Sequence, residues 1–410
     1  MYLCAKGIQD TWVNPRCPDF SHFIYNFRRH TPFGIDFSDI PFTGNPNFGE
    51  IITCRVPSNK SDLLNSVSLT VNFTKDYDAM TTVGNPITKL IEYADLVIGE
   101  QVIDRITGEY IYLRQKLDTS SQHDAIKTYR GGEGTGTEGY YPTKFSVELP
   151  FYFTRASKNA IPLCKLTKQQ VSIRVKLTGR NTYYESKSVS SNLPPIYNTS
   201  RKLVDQIFLT TENVYLSDIE RGAFQDAHME YLITQVQLRE ERIPSGVHKK
   251  AFLLDFRHPT KEILFLGEPY PVPDAQDKNN NFIFRQIKTA ELCLNNVIFF
   301  KENGHHFSVV QPFKNHRNIP DTGENEFGVY SFSLDPDSND PAGHINFSRI
   351  IHQKFTIEFK DRDRYVDPGN NTLTFRPVSG SYAAETRIRV FALNYNILSF
   401  DSGLAGLKFS

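Results

Sequence analysis

The chain is poor in cysteine, and Cys4, Cys17, Cys54, Cys164 and Cys293 are scattered, odd in number and without a C-x-x-C pair. That pattern excludes a disulfide scaffold or a zinc ribbon, so the five read as reduced thiols. Basic runs are missing as well. No four consecutive Lys or Arg occur, and 46 Lys plus Arg balance 46 Asp plus Glu, so nothing is built to neutralise nucleic-acid phosphates. No apolar run approaches the roughly 20 residues of a membrane helix, and the opening MYLCAKGIQDTWVNP lacks the apolar core of a secretion signal. The expectation is a protein made in the cytosol that neither spans a membrane nor binds nucleic acid directly. Catalytic signatures are absent too: there is no G-x-S-x-G elbow, H-E-x-x-H pair or G-K-[ST] loop.

What the sequence has in quantity is aromatic side chains and turn formers: 31 Phe, 20 Tyr, 23 Pro and 24 Gly in 410 residues. This bias favours short strands joined by tight turns, an all-β chain with two domains. Between them lies Ser217–Gln237. Ser217 and Glu220 form an S-x-x-E capping box that starts a short helix. Ile219, Ala223, Ala227 and Tyr231 recur every fourth residue, a narrow stripe able to lie on the neighbouring domains, and from Tyr231 a period of two signals a strand. The expected organisation is an arm over residues 1–20, a first domain over 21–216, a linker helix over 217–230 and a second domain over 231–410.

Along the first domain, strands are expected at Glu50–Val56, Ser66–Phe73, over Asp95–Ile106, and at Tyr110–Leu113, Phe145–Leu149, Val171–Leu177 and Asp205–Tyr215, with a helix over Pro86–Ala94. Polar excursions over Gln115–Thr143 and Gly179–Lys202 read as surface loops. The second half repeats the plan. Ala94-Asp-Leu96 matches Ala290-Glu-Leu292, carrying Gly99 onto Asn295 and Gly108 onto Gly304. Phe145–Pro150 echoes Tyr330–Pro336, Val171–Lys176 echoes Phe355–Lys360, and each half closes on a long strand. Ordered blocks of this kind mark a duplicated domain, and about eight strands in each half favour two tandem jelly rolls, eight-stranded antiparallel sandwiches.

Apparent ligand motifs fail on context. Gly134-Thr-Gly-Thr-Glu-Gly139 has dinucleotide spacing but leads into a strand rather than a helix. Asp335, Asp337 and Asn339 are spaced like calcium ligands, yet Asp340 stands where the loop needs Gly. His305-His306, read as strand residues, point to opposite faces and cannot share a metal. No catalytic, cofactor or metal residue is expected, and no cofactor. Asn59, Asn72, Asn198, Asn346 and Asn370 begin N-x-S/T triplets, candidate glycosylation sites. The alternative reading is a two-domain jelly-roll glycan hydrolase or carbohydrate-binding protein, whose acid pair need not be close in sequence.

Several motifs are shared with a known family. They are Gly7-Ile-Gln-Asp10, Phe27-Arg28-Arg29-His30-Thr-Pro-Phe33, Leu149-Pro150-Phe-Tyr-Phe153 with Ala160-Ile-Pro-Leu163, and the linker positions Ser217, Glu220, Arg221 and Tyr231. In the second half they are His258-Pro259-Thr-Lys-Glu262, Val310-Gln-Pro312-Phe313 and Asn346-Phe347-Ser348-Arg349. On these the chain resembles the double jelly-roll major capsid proteins of nucleocytoplasmic large DNA viruses, of the iridovirus and phycodnavirus type. The resemblance implies a virion shell protein, not an enzyme, made and assembled in the host cytoplasm as a homotrimer with a nearly hexagonal outline. Its implied partners are copies of itself, neighbouring capsomers and minor capsid proteins reached through residues 1–20. A viral membrane would lie inside the shell without being spanned.

Overall fold

A computed structural model describes residues 7–8, 21–25, 27, 29–73, 86–118, 144–179, 204–270, 284–318, 327–360, 362–366, 373–377 and 385–409. The first half comprises β1 (Phe33–Pro41), β2 (Ile51–Arg55), β3 (Leu63–Phe73), α1 (Pro86–Leu90), β4 (Ile91–Ile98), β5 (Gln101–Thr107), α2 (Gly108–Asp118), β6 (Lys144–Glu148), β7 (Ile161–Pro162), β8 (Val171–Leu177) and β9 (Val204–Leu216). Helix α3 (Asp218–Asp226) follows. The second half runs β10 (Met229–Ile243), β11 (Lys249–Leu253), β12 (Pro259–Tyr270), β13 (Ile287–Leu294), β14 (Val297–Asn303), a wide π-helical turn (His306–Val310), α4 (Gln311–Asn315), β15 (Phe327–Ser331), β16 (Ile345–Asn346), β17 (Gln353–Phe359), β18 (Arg362–Val366), β19 (Leu373–Pro377), β20 (Glu385–Asp401) and β21 (Leu404–Leu407).

Each half is a sandwich of two antiparallel sheets, so the fold is a double jelly roll. In the first lobe the sheet orders are β1-β9-β3-β6 and β2-β8-β4-β5; in the second they are β10-β20-β12-β15 and β11-β17-β13-β14. Alternation puts Val171, Ile173, Val175 and Leu177 of β8 into the first core, opposite Val67, Leu69 and Leu209. The second core is built on phenylalanine. Phe265 meets Phe355 and Phe307 edge to face at 5.2 and 5.3 Å between ring centroids.

The duplication extends to irregularities that pattern alone does not display. β4 slips against β8 between Ile91 and Tyr93, and β13 against β17 between Ile287 and Thr289. β4 bulges against β5 at Leu96/Val97 and β13 against β14 at Leu292/Cys293. A bulge at Leu64/Ser66 of β3 recurs at Thr260/Glu262 of β12. Gly99 (φ +62°) and Asn295 (φ +48°) turn the equivalent hairpins in the left-handed region, which Asn tolerates better than most residues with a Cβ. The sequence echo is less accurate elsewhere. Leu69 pairs with Val147 and its counterpart Phe265 with Gly328, so Tyr330 corresponds to Leu149 rather than to Phe145. Likewise Val171 corresponds to Gln353, not Phe355. Both slips are even-numbered, which preserves the inward face and makes them invisible to alternation.

Several local expectations change. The helix at Pro86 ends at Leu90, and Ile91–Ile98 continues as a strand, as suits its β-branched residues. The Asp95–Ile106 span divides into two strands at the Gly99 turn. Tyr110–Leu113 is not a strand but the middle of α2, which also takes in Gln115–Asp118; the rest of that loop, and nearly all of Gly179–Lys202, lie outside the described residues. Tyr110, Ile111, Tyr112, Leu113 and Leu117 are all buried. A helix buried on nearly every side, charged Arg114 included, shows no single apolar stripe to read. Gly108 starts it because α1 passes close by: a Cβ there would stand 2.0 Å from the Thr88 carbonyl oxygen. His305-His306 open a helical turn, not a strand.

Candidate functional site: a charged seam between the lobes

The most heavily organised surface of the molecule is internal. Leu264, Leu266 and Phe391 of the second lobe's sheet pack into the first lobe's core, while Ile263, Phe265 and Val390 on the opposite face pack into their own. β12 and β20 are therefore buried on both sides, and α2 is the wedge between lobes. Tyr110 meets Phe391 at 5.7 Å and Tyr112 meets Phe284 at 6.0 Å between ring centroids.

Charge sets the register of this contact. Glu109, in the first turn of α2, pairs with Arg389 and Arg387 of β20, and Arg387 also holds Glu268. Burial alone would raise the Glu109 carboxyl, but Arg389 and Arg387 outweigh it and hold it low. Farther along the helix, Arg114 donates to Glu262 at 2.8 Å, to Asp118 at 2.8 Å and to Asp337 at 3.4 Å. The fully buried His316 ring bridges the same carboxylates, 3.1 Å from Asp337 and 3.4 Å from Glu262. An acid on α2 thus faces bases, and a base faces acids. Such buried pairs add little net stability, but losing one partner costs about 3–5 kcal/mol, so the cluster rejects other lobe registers.

Two further buried ionisable groups border the seam. Asp104 of β5 accepts from the Val236 and Arg105 amides, both at 3.0 Å. Burial pushes its carboxyl up to about 7. Lys261, at the β12 bulge, reaches the Ser338 carbonyl at 3.3 Å, and burial pushes its amine down to about 7.

The linker is held differently from expectation. Ser217 Oγ does accept from the Glu220 amide at 3.4 Å, but Glu220 Oε2 is buried without a hydrogen-bond partner, so only one arm of the capping box forms. Within the helix the apolar stripe is left exposed, with Ile219 90% exposed and no α3 residue buried, while Tyr231, beyond the helix, packs against the core. Instead Arg221 makes a two-pronged bond to Asp62 at 2.7 and 3.1 Å, and the Lys165 amine donates to the Phe224, Gln225 and Ala227 carbonyls at the end of the helix. Tyr231 meets Phe400 at a tilt, with centroids 5.1 Å apart. Neither Asp62 nor Lys165 carried a sequence signal.

The remaining motif positions divide into corners and surfaces. His258 (φ +67°) and Pro259 meet the Asn346 motif: the His258 amide donates to Ser348 Oγ at 2.8 Å, its carbonyl accepts from Phe347, and Pro259 pairs with Asn346. Asn346 caps the following turn by accepting from the Ser348 amide, Phe347 is fully buried, and Arg349 is exposed. Pro150 precedes the buried Phe151-Tyr-Phe153, and Pro312 is buried in the first turn of α4. Arg29 and His30 are exposed; Arg28 lies outside the described residues. Of the N-x-S/T asparagines, Asn59 is exposed, Asn72 bonds Gln206 across the sheet, and Asn198 and Asn370 lie outside the described residues.

As an acid pair for glycan chemistry, Glu262 and Asp337 are unsuitable, being buried and occupied by Arg114. Asp335 accepts from the Asp337 and Ser338 amides, making a polar turn of the calcium-like spacing. Among the described residues, no group of three or more His, Cys, Asp or Glu side chains is placed to hold a metal.

Comparison with known proteins follows the same two-part division. A model described as "Major capsid protein N-terminus" matches residues 21–217, and one described as "Large eukaryotic DNA virus major capsid protein" matches 220–406. The major capsid protein of Chrysochromulina ericina virus is 37% identical over 100% of this chain and 99% of its own length. That of Pyramimonas orientalis virus is 27% identical over 100% and 98%. Among solved structures, PBCV-1 VP54 shares the fold with a TM-score of 0.76 at 20% identity, over 95% of this chain and 100% of that one. The named relatives are structural shell proteins, not enzymes.

Proposed function

Because this chain belongs to the major capsid proteins of large eukaryotic DNA viruses, we propose that its working unit is a homotrimer whose six similar lobes form a nearly hexagonal capsomer. The observation that carries this reading is the duplication, repeated down to matching bulges, with the two lobes held at one angle by a buried charged seam. Three copies of a two-lobed chain about a threefold axis present about six equivalent edges, which suits hexagonal tiling of a shell. The first domain covers residues 21–216, the second 231–410, and 217–230 join them. Neighbouring capsomers meet at the outer edges, minor capsid proteins engage residues 1–20, and assembly takes place in host cytoplasm. Among the described N-x-S/T asparagines, the exposed Asn59 is the one best placed for a glycan.

Sedimentation velocity of the purified protein at micromolar concentration tests the trimer. Three chains of 47.0 kDa give ~141 kDa, the expected species; a stable 47.0 kDa monomer overturns the reading.

A further inference from the structure

Within one chain the lobes already meet in a defined way. The first lobe's β5 and α2 press on the sheet formed by β10 and β20 of the second: Gln235 donates to the Ile103 carbonyl, the Val236 amide to Asp104, and Tyr110 lies on Phe391. The duplication identifies the counterpart of each partner. β14 and the helix after it correspond to β5 and α2, and β1 corresponds to β10. Tracing the pairings of β1 with β9 and of β10 with β20 sets Phe37 in the place of Val236, a residue packed on the first lobe's core.

Both counterpart surfaces are uncovered, and both are apolar. Phe33, Ile35 and Phe37 alternate along the outer face of β1, and Val297, Phe299 and Phe313 lie on β14 and α4, with exposures from 48% at Phe299 to 74% at Phe313. Single exposed apolar residues are ordinary. These are grouped on the two faces that the duplication marks as an unmade lobe-to-lobe contact.

We propose that β14 and α4 of one copy dock on the β1 face of a second copy, repeating between chains the contact that joins lobes within a chain. This deepens the trimer reading and rests on it. The contact is head-to-tail, because each copy offers two different surfaces, and a ring of six lobes closes after three copies. Beside β1, the half-buried Ser68 and the buried Thr70 stand where the second lobe has Leu264 and Leu266. The contact between chains is accordingly narrower and more polar than the internal seam, as befits chains that are soluble before they assemble.

The test is sedimentation velocity on Ile35→Asp and Val297→Asp, alone and mixed, with circular dichroism confirming the fold. Each variant alone is expected to be a monomer. Mixed, they form a two-chain species, since the intact β14 face of Ile35→Asp docks on the intact β1 face of Val297→Asp. The milder Phe37→Ser and Phe313→Ser, useful if the charged variants misfold, raise the concentration at which the trimer dissociates by ten-fold or more. A trimeric wild type with trimeric variants overturns this inference while leaving the trimer standing, and dimers of a single variant overturn it in favour of like-to-like contacts. A monomeric wild type overturns the trimer reading itself.

Discussion

At the scale of single residues, the seam is where the molecule departs most from ordinary burial. An unperturbed aspartate titrates near 4, whereas burial pushes Asp104 up to about 7. Folding therefore favours its protonated form. That contribution is complete below about pH 4 and is lost as pH rises through about 7. Asp104→Asn keeps an acceptor for the Val236 amide and carries no charge. In urea unfolding it should match the wild type at pH 4 and exceed it at pH 8 by about 2–4 kcal/mol; an equal difference at both pH values contradicts the assignment. None of this was legible in the sequence. Asp104 sits among ordinary strand residues, and only the second lobe's placement on β5 buries it. The pairing of Arg114 with Glu262 was equally silent, the two being 148 positions apart.

Among elements, α2 and α3 show why local pattern succeeds or fails. The cap at Ser217 was readable because a helix start is a short-range event that Ser and Glu signal directly. What fastens α3 was not, since Asp62 and Lys165 are distant in sequence and act through charge rather than an apolar stripe. A cation at a helix C-terminus contributes about 0.3–1 kcal/mol at the surface and up to ~2 kcal/mol when partly buried. Lys165→Met should therefore lower stability by about 1–2 kcal/mol, more than Ser217→Ala, whose 3.4 Å cap belongs at the low end of the usual range of about 0.5–2 kcal/mol. Thermal melts of the two variants decide it; a larger loss for Ser217→Ala would show that the N-terminal cap is the main fastening. α2 misled in the opposite way. Its Tyr-Ile-Tyr-Leu run has strand propensity, and burial between two lobes removed the polar face that identifies a helix.

For the whole molecule, the duplicated all-β plan was legible because repetition survives divergence as a sequence of blocks. Its exact register was recoverable only across β4, β5, β13 and β14, where no insertion intervenes. Shared bulges supplied the rest, and a bulge has no composition of its own. The angle between lobes was not legible, because it depends on charged groups brought together from α2, β12, β20 and the segment around His316. That angle is the quantity the capsid reading needs, since it decides whether three chains close into six evenly spaced lobes. Particle imaging of the purified trimer, averaged face-on without imposed symmetry, tests it most directly. The account predicts six lobes of similar size around one centre, alternating between two kinds. Three lobes, or six in unevenly spaced pairs without a hexagonal outline, would contradict it.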